Sequence, residues 1–277
     1  TAKPKPAPIH RERISPAGQV SNGWHSLVAR QLTKKETAND KAAIAAEDEA
    51  WAKLKRRTTW GLDPRKGEVR EYDDVIAEAK RKKKVVHIGR VHSFVVLKHS
   101  ELTRDKWKFK GRCVFQGNNV TDQTGFAAIF SEQGSSASHM AGIFLGDAIG
   151  HMEGCSFEDA DATSAYTQGS LIGTDTWVEI PPERREASWK GMRRPVAQLY
   201  RSLEGHPKAG AWWEKHCTER ILRCGFEKVE GWESVFVHRK LKLFLNVYVD
   251  DFKMCGITEN LPIAWAMLRE HLDLDEP

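Results

Sequence analysis

The sequence has no long apolar run, and this absence excludes one class of protein. No stretch of 18 or more apolar residues occurs among its 277 residues, and the first residues are rich in Lys and Pro with no apolar segment behind them. A helix that spans a bilayer needs about 20 apolar residues, and a secretory signal needs an apolar core. We therefore predict an intracellular protein that is neither inserted in a membrane nor secreted.

Cysteine is scarce, and three common catalytic motifs are missing. The cysteines are an odd number and form no C-x-x-C pair: Cys113, Cys155, Cys217, Cys224 and Cys255. This distribution argues against a disulfide framework and a zinc site, so we expect reduced and mostly buried thiols. His206, His216 and His238 have no metal-ligand spacing and are expected at the surface or as core residues with partners. There is no G-x-x-x-x-G-K-[ST], G-x-G-x-x-G or G-x-S-x-G motif either.

Acidic residues are scarce in the first part of the chain and plentiful in the second. Residues 1–112 contain 27 Lys and Arg against 14 Asp and Glu, a net charge of +13, whereas residues 113–277 contain 16 against 24, a net charge of −8. This asymmetry indicates that the first part binds a polyanion and that the second gathers carboxylates for another purpose. The alternative is a surface whose charges serve only solubility.

The first part of the chain is predicted to contain a tail and two helices. Residues 1–38 are basic and contain several prolines, and we expect a disordered tail or linker there. A helix is predicted from about Asn39, because a capping Asn/Asp precedes acidic early turns and basic late turns. A second helix is predicted in REYDDVIAEAKRKKK. The five bases that end it, Lys80–Lys84, either form a solvated face or contact phosphate.

Two β-rich runs, VVHIGRVHSFVVLK and KWKFKGRCVFQG, are predicted to pair as a hairpin. The second run alternates four bases, from Lys106 to Arg112, with Trp, Phe and Gly. One face of this strand therefore carries four positive charges and suits anions.

The rest of the chain combines helices with antiparallel strands. Met140, Ile143, Phe144 and Ala148 form an apolar helical stripe that we expect in the core. The predicted elements are this helix within 135–152, a helix within 207–225, strands in SVFVH and LFLNVYV, and an amphipathic helix in about 262–271. Such a mixture predicts an α+β fold rather than a doubly wound parallel sheet.

Two adjacent aspartates, Asp250 and Asp251, stand between apolar segments in LFLNVYVDDFKMCG. We interpret Val249–Phe252 as a tight hairpin turn, because the flanking residues favour strands and Asp tolerates the backbone angles of turns. Adjacent carboxylates repel each other and lose solvation, and a bound divalent cation removes that penalty. A metal site is one interpretation, and a solvent-exposed polar turn is the other.

A second carboxylate segment, CSFEDADATSAYTQG, precedes this hairpin. It passes from a strand-like to a helix-compatible stretch, with Asp161 at the junction, Tyr166 five residues later and Asp250 a further 84 residues on. An Asp at a strand end, an aromatic residue at plus five and a later Y-V-D-D hairpin form a combination much more specific than any of its parts.

With these motifs, the sequence resembles the reverse transcriptase of copia-type LTR retrotransposons over roughly residues 50–277. The matching segments occur in the same order. AWAKLKRRTTW is similar to the family's opening helix and TW turn, KFKGRCVFQGN to YKARLVARGF, DATSAYTQGSL to DVKTAFLNGDL, TWVEIPPE to VYMEQPPG, AQLYRSLEGHPKAGAWW to CRLKKSLYGLKQAPRAW, and LNVYVDDFKMCG to LLLYVDDMLLTG.

The resemblance implies the fingers and palm of a right-hand polymerase, with an antiparallel palm sheet and helices packed on one face. The domain would span residues 39–277, with fingers over about 39–150 and a C-terminally truncated palm over about 151–277, and we expect no thumb, primer grip or ribonuclease H domain. The protein is thus expected to be a piece of a retrotransposon polyprotein, in a cytoplasmic particle or the nucleus, with integrase and ribonuclease H as partner domains.

The resemblance also implies an RNA-directed DNA polymerase that uses deoxynucleoside triphosphates and an RNA or DNA template with a primer. Asp161, Asp250 and Asp251, in that order, would be the catalytic residues and would hold two Mg²⁺ ions, with Mn²⁺ as a substitute. Carboxylates suit this role because Mg²⁺ takes oxygen ligands and retains substrate phosphates. Asp161 must then lie within a few ångström of the hairpin.

Five residues are implied in substrate binding: Lys110, Arg112, Tyr166, Gly205 and Tyr248. Lys110 and Arg112 would clamp the triphosphate, since the Arg fork is planar and always charged. Tyr166 would exclude a ribose 2′-hydroxyl, or alternatively is a core aromatic residue. Gly205 would let the backbone approach the nucleotide or template closely, and Tyr248 belongs to the Y-V-D-D signature.

One matching segment departs from the family. The family's Tyr-Gly-Leu-Lys-Gln-Ala-Pro corresponds to Glu204–Gly210 here, which keeps the glycine, loses the amide and moves the proline. A catalytically inactive nucleic-acid-binding remnant of such a polyprotein is therefore the alternative function. A two-metal nuclease is a third, although the additional carboxylates and His of such enzymes are missing.

Overall fold

Two β-sheets organise the part of the chain that this computed structural model describes, which is residues 29–130, 138 and 140–277. The mixture of helices and strands agrees with the predicted class. None of the described helices is long and apolar enough to cross a membrane. The helices are α1 (Lys34–Asn39), α2 (Lys41–Arg56), α3 (Tyr72–Arg81), α4 (Met140–Gly150), α5 (Ala165–Gln168), α6 (Ala209–Arg223) and α7 (Leu261–Arg269).

The first sheet is built around one long strand, β3. Its strands are β1 (Ala29–Gln31), β2 (Val69–Glu71), β3 (Val86–Lys98), β4 (Lys108–Phe115), β5 (Thr121–Asp122), β7 (Asp175–Glu179) and β8 (Pro195–Gln198). The order is β1-β3-β7-β8-β2, and β4 and β5 also pair with β3. β3 and β4 form the predicted antiparallel hairpin. β3 and β7 are parallel, so this sheet is mixed rather than purely antiparallel.

The second sheet contains the hairpin with the two aspartates. Its strands are β6 (Cys155–Asp161), β9 (Glu227–Lys228), β10 (Val235–His238), β11 (Leu243–Tyr248) and β12 (Asp251–Ile257). The order is β6-β12-β11-β10-β9, and all neighbours are antiparallel. The predicted antiparallel sheet and its two predicted strands, β10 and β11, are therefore confirmed.

The boundary predicted at residue 150 does not separate the two sheets. β7 and β8, which follow residue 150, pair within the first sheet. α4, which precedes that boundary, packs on the second sheet, where an added Cβ on Gly146 would lie 3.3 Å from the Cys255 sulfur. The chain therefore enters each sheet more than once, and the division into fingers and palm at about residue 150 stays a prediction.

The predicted disordered tail is too long by ten residues. Residues 1–28 lie outside the described part of the chain, but β1 and α1 occupy most of residues 29–39. The Thr33 side chain accepts a hydrogen bond from the Glu36 amide, and the Glu36 carboxylate accepts one from the Thr33 amide. This capping box starts α1, and buried Leu32 packs beside Val95. A composition rich in Pro and bases conceals these local signals.

Helix α2 begins close to the predicted Asn39. The Asp40 side chain caps it by accepting hydrogen bonds from the Ala42 and Ala43 amides at 2.9 and 3.4 Å. Its last turn contains Lys53, Lys55 and Arg56. These positive charges stabilise the helix because they lie at the negative end of its dipole. One of these bases, Lys53, lines a cavity between the two sheets.

The main core lies between the second sheet and helices α6 and α7. The buried side chains include Trp213 and Ile221 from α6, Leu261, Trp265 and Leu268 from α7, and Leu245, Phe252 and Met254 from the sheet. Burial of each such side chain stabilises the fold by about 1.5–3 kcal/mol. All five cysteines are free, and four are buried, as predicted.

Helix α4 covers the opposite face of the second sheet, so helices pack on both faces and not on one as predicted. Its glycines make the contact, since a Cβ added to Gly150 would lie 2.8 Å from the Phe157 ring. Met140 and Phe144, expected in the core, are each 62 % exposed. The prediction is wrong because it places the large apolar side chains of α4 against the core. Instead, the glycines of α4, which have no side chain, allow the helix to approach the sheet closely.

Candidate active site

The hairpin between β11 and β12 has a two-residue turn. Tyr248 ends β11 and pairs with Asp251, the first residue of β12, so Val249 and Asp250 form the turn. Val249 has a φ of 59°, which strains a β-branched residue. The indole Nε1 of Trp213 donates a 2.6 Å hydrogen bond to the Val249 carbonyl oxygen. The tight turn is confirmed, but Val249, not an aspartate, adopts the left-handed conformation.

Strand β6 places Asp161 beside this turn. Asp161 is the register partner of Asp251, and directly opposed residues of antiparallel strands have Cα atoms about 4.5–5.5 Å apart. The Ala162 amide also donates a 2.7 Å hydrogen bond to the Asp250 carbonyl oxygen. The predicted proximity of Asp161 to the hairpin is therefore confirmed.

Five of the predicted site residues line one cavity of about 520 Å³: Lys110, Arg112, Asp161, Tyr166 and Asp250. The two cations come from β4 of the first sheet, and the two carboxylates come from the second sheet. The cavity thus brings the basic strand and the acidic hairpin together.

Tyr248 and Asp251 lie on the other side of the hairpin. They line a smaller cavity of about 300 Å³ under α4, to which Asp161 and Lys253 also contribute. Burial raises the pKa of the Asp251 carboxyl above its ordinary value, and the charges of Asp250 and Asp161 raise it further.

Gly205 makes its close contact with protein backbone. Its φ is 88°, and a Cβ added there would lie 2.2 Å from the Phe115 carbonyl oxygen at the end of β4. The Phe115 amide in turn donates a 2.7 Å hydrogen bond to the Glu204 carbonyl oxygen. The close approach predicted from this glycine is therefore present, but β4 is the partner, and contact with nucleotide or template remains a prediction.

A comparison with protein families agrees with this geometry. Residues 74–275 match the model of the reverse transcriptase (RNA-dependent DNA polymerase) family, a match that spans well over half of the chain. The chain belongs to this reverse transcriptase family. The match confirms the predicted resemblance, because the family is that of the copia-type LTR retrotransposons. None of the curated proteins compared with the chain matches it.

Two carboxylates of this reverse transcriptase domain suit a magnesium ion. Within residues 29–130, 138 and 140–277, no three His, Cys, Asp or Glu side chains are grouped to hold a metal by themselves. Mg²⁺ in phosphate-transfer sites, however, uses one or two carboxylates together with water and substrate phosphates. Asp161 and Asp250, which share the cavity, therefore fit an ion that binds together with a triphosphate.

Tyr166 belongs both to the cavity and to the core of the reverse transcriptase domain. It lies on the short helix α5, lines the cavity and packs against the hydrophobic cluster of the second sheet. Burial, followed by the charges of Asp250 and Glu204, raises the pKa of its hydroxyl. The two interpretations of this residue are therefore compatible, because the ring is packed and still borders the cavity.

Three charged residues of the cavity are absent from the sequence predictions: Lys53, Glu204 and Asp275. Lys53 has no ion-pair partner among the described residues, and burial lowers its pKa. The Asp275 amide donates a 2.9 Å hydrogen bond to the Asp161 carbonyl oxygen. Only the departure of Glu204 from the family segment was a usable sequence signal. The other two residues reach the site through long-range packing.

Two of the three histidines without metal spacing lie in the core with backbone partners. His206 and His238 are buried, and each Nδ1 accepts a backbone hydrogen bond, from the Lys208 and Leu241 amides at 3.1 and 3.2 Å. Burial also lowers the pKa of the partly exposed His216 to about 4. The prediction of core histidines with partners is therefore confirmed for His206 and His238.

Proposed function

We propose that this domain is an RNA-directed DNA polymerase that extends a primer 3′-hydroxyl with deoxynucleotides. The observation that carries the proposal is the single cavity shared by Asp161 and Asp250 with the cations Lys110 and Arg112. In this proposal the second sheet is the palm and the β3–β4 hairpin belongs to the fingers. Carboxylates that bind metal, placed opposite cations that bind phosphate, form the charge pattern that phosphoryl transfer requires.

Asp161 and Asp250 would hold the Mg²⁺ ions, with Mn²⁺ as a substitute, and Asp251 would act as their neighbour. When bound, such ions activate an attacking oxygen and neutralise charge on the transferred phosphate. The chain itself contributes by fixing the positions of the two carboxylates. The strand pairing of β6 with β12 and the Trp213 hydrogen bond to Val249 hold the carboxylates in place before substrate arrives.

Lys110 and Arg112 would bind the triphosphate. As the primer oxygen bonds to the α-phosphorus, the bond to the departing pyrophosphate breaks, and cations beside the leaving group stabilise its charge. Lys110 has no ion-pair partner among the described residues, and Lys53, which lines the same cavity, is an addition to the predicted pair of cations.

Tyr166 would select the sugar. A packed aromatic ring at the edge of the cavity leaves little room for a ribose 2′-hydroxyl, and rejection by shape is the mechanism that a rigid ring supports. Tyr248 would then lie on the primer side of the hairpin, and Gly205 would support β4.

The wider context also belongs to the proposal. The family match supports a template of RNA or DNA with its primer as the partner. We propose further that the chain is part of a retrotransposon polyprotein with integrase and ribonuclease H domains, within a cytoplasmic particle or the nucleus.

Primer extension on an RNA template tests the proposed function. The full chain is expected to incorporate deoxynucleotides only when Mg²⁺ or Mn²⁺ is present, and Asp250→Asn is expected to abolish incorporation. Glu158→Gln provides the matched control, because Glu158 is on the same strand as Asp161 but lines neither cavity. Extension that survives Asp250→Asn would contradict the proposed mechanism.

A second candidate is a nucleic-acid-binding remnant without catalysis. It is favoured by one observation, the ion pair that Arg112 already makes with Glu204 in the altered family segment. This candidate predicts salt-sensitive binding of primer–template with no incorporation by the unmodified chain. The same experiment therefore separates the two functions.

A further inference from the structure

Arg112 and Glu204 form an ion pair inside the candidate nucleotide cavity. One nitrogen of the guanidinium, Nη1, donates to both carboxylate oxygens of Glu204 at 3.0 Å. The two side chains are 35 % and 44 % exposed and both line the cavity. The residues are 92 positions apart in the sequence, so the fold has brought them together.

The backbone around this pair is interlocked. The Phe115 amide on β4 donates a 2.7 Å hydrogen bond to the carbonyl oxygen of Glu204 itself. Gly205 and Gly117 both approach so closely that a Cβ on either would lie 2.2 Å from a backbone oxygen, of Phe115 and of Gly205 respectively. Both ends of the ion pair are therefore attached to a rigid frame, unlike most exposed pairs, whose two flexible side chains contribute little.

The contact leaves most of the guanidinium unused. Arginine has five N–H donors in a planar fork. Only Nη1 of Arg112 makes a hydrogen bond within the described part of the chain. Nε and Nη2 therefore remain to donate to a second anion, and phosphate oxygens match that paired geometry.

We infer that Glu204 is a positioning residue for triphosphate binding, which acts by holding Nη1 of Arg112 so that the remaining donors are presented to the phosphates. This inference rests on the proposed function and deepens it. If Glu204 instead competed with phosphate for Arg112, Glu204→Gln would bind triphosphate more tightly.

The test measures binding of deoxythymidine triphosphate with Mg²⁺ to the full chain, and KM and kcat in primer extension. Glu204→Gln removes the charge and is expected to raise both the dissociation constant and KM about threefold to tenfold with kcat nearly unchanged. Glu204→Asp keeps the charge and is expected to recover part of the affinity. Glu183→Gln, an exposed acid outside the cavity, is expected to have no effect.

A double variant shows whether Glu204 acts through Arg112. In an Arg112→Gln background, Glu204→Gln is expected to weaken binding no further, because the group it positions is gone. Independent losses in the two variants would overturn the inference, as would tighter or unchanged triphosphate binding by Glu204→Gln. Thermal unfolding of each variant separates a loss of fold from a loss of positioning.

The outcomes for the two proposals are distinguishable. If the unmodified chain binds triphosphate and Glu204→Gln binds equally well, the inference fails and the proposed polymerase function stands. If the unmodified chain binds no triphosphate, the proposed function fails and the inference fails with it.

Discussion

The two sides of the cavity are held by different kinds of contact. On the acidic side, Asp161 and Asp250 have short side chains on a hydrogen-bonded ladder, with the Ala162 amide bonded to the Asp250 carbonyl oxygen. On the basic side, Lys110 and Arg112 have long side chains, and Nη1 of Arg112 donates a hydrogen bond to Glu204. In the proposed function, strand pairing thus determines where the metal ligands would lie, while side-chain contacts determine how the phosphate ligands would point.

This difference has a physical reason. A divalent ion needs oxygen atoms at defined short distances, and an adjacent strand register supplies such distances directly. A triphosphate is larger and carries its charge over many oxygens, so long cations on one strand can follow it. We therefore expect changes on the acidic side to abolish chemistry and changes on the basic side to alter affinity.

The largest effect is expected for Asp161→Asn, which removes a charge from the backbone-held side. Because a catalytic metal contributes several kcal/mol, and each 1.36 kcal/mol is tenfold, kcat should fall on the order of 10³-fold or more. Glu158→Gln, three residues earlier on β6 and outside both cavities, should retain most activity. Single-turnover primer extension measures both, and equal losses would contradict the special position of Asp161.

The packing of His206 on Phe115, at the end of β4, should depend on pH. Burial lowers the pKa of His206 from 6.5 to about 4, with smaller contributions from His87 and Lys208. The unfolded chain therefore takes up the proton first as the pH falls. The free energy of unfolding should be unaffected by His206 above about pH 6.5 and should fall by roughly 3 kcal/mol towards pH 4.

The variant His206→Phe isolates this contribution. A phenyl ring retains the packing on Phe115 and Trp212, whose ring centroids lie 4.8 and 4.7 Å away, but cannot take up a proton. Chemical denaturation between pH 7 and 4.5 should therefore show a shallower pH dependence than the unmodified chain. His151→Phe, at an exposed histidine on the second sheet side, should leave the slope unchanged. Identical slopes in all three proteins would refute the assignment.

Sequence patterns predicted the acidic side well, because its determinants are local. Apolar alternation predicts β11, the aspartates mark its end, and Asp161 stands at the end of another strand. The proximity of Asp161 to Asp250, which is 89 residues later in the sequence, was implied by the family resemblance and not by the strand pattern. The turn residue with positive φ was assigned wrongly, because packing against Trp213 and not propensity places Val249 there.

The basic side was predicted less completely, because its determinants are distant. The alternation of bases predicts the exposed face of β4, but nothing near Arg112 in sequence indicates that Glu204 is its partner. Lys53 reaches the cavity only because α2 packs on β4, where a Cβ on Gly111 would lie 2.1 Å from the Ala46 carbonyl oxygen. Such contacts depend on tertiary structure that periodicity does not encode.

A smaller effect is expected for Lys110→Met, which tests the basic side by itself. Methionine keeps much of the length of the lysine side chain but has no charge. KM for the triphosphate should therefore rise about tenfold, which corresponds to the free energy of one charge-assisted hydrogen bond, and kcat should change only modestly. Lys108→Met is the matched control, since Lys108 lies on the same strand face but outside the cavity. An equal rise in KM for both variants would indicate general electrostatic attraction and not a specific contact.

The smallest effect is expected for Trp213→Phe, which weakens the frame of the acidic side without touching a charge. The substitution removes the 2.6 Å hydrogen bond from Nε1 to the Val249 carbonyl oxygen and frees a turn held at a φ of 59°. Trp265→Phe removes an equally buried indole of the same core, whose Nε1 has no hydrogen-bond partner among the described residues, and corrects for lost volume. Relative to it, Trp213→Phe should lower the free energy of unfolding by about 1 kcal/mol.

Loss of the Trp213 hydrogen bond should also lower kcat. If Trp213 holds the turn, its loss lets Asp250 move relative to Asp161, and small misplacements of reacting groups slow catalysis strongly. The kcat of Trp213→Phe should then fall more than that of Trp265→Phe, while KM for the triphosphate, which depends on the basic side, stays nearly constant. A change in KM alone would mean that the two sides of the cavity are not held independently, since a contact on the acidic frame would then control phosphate binding.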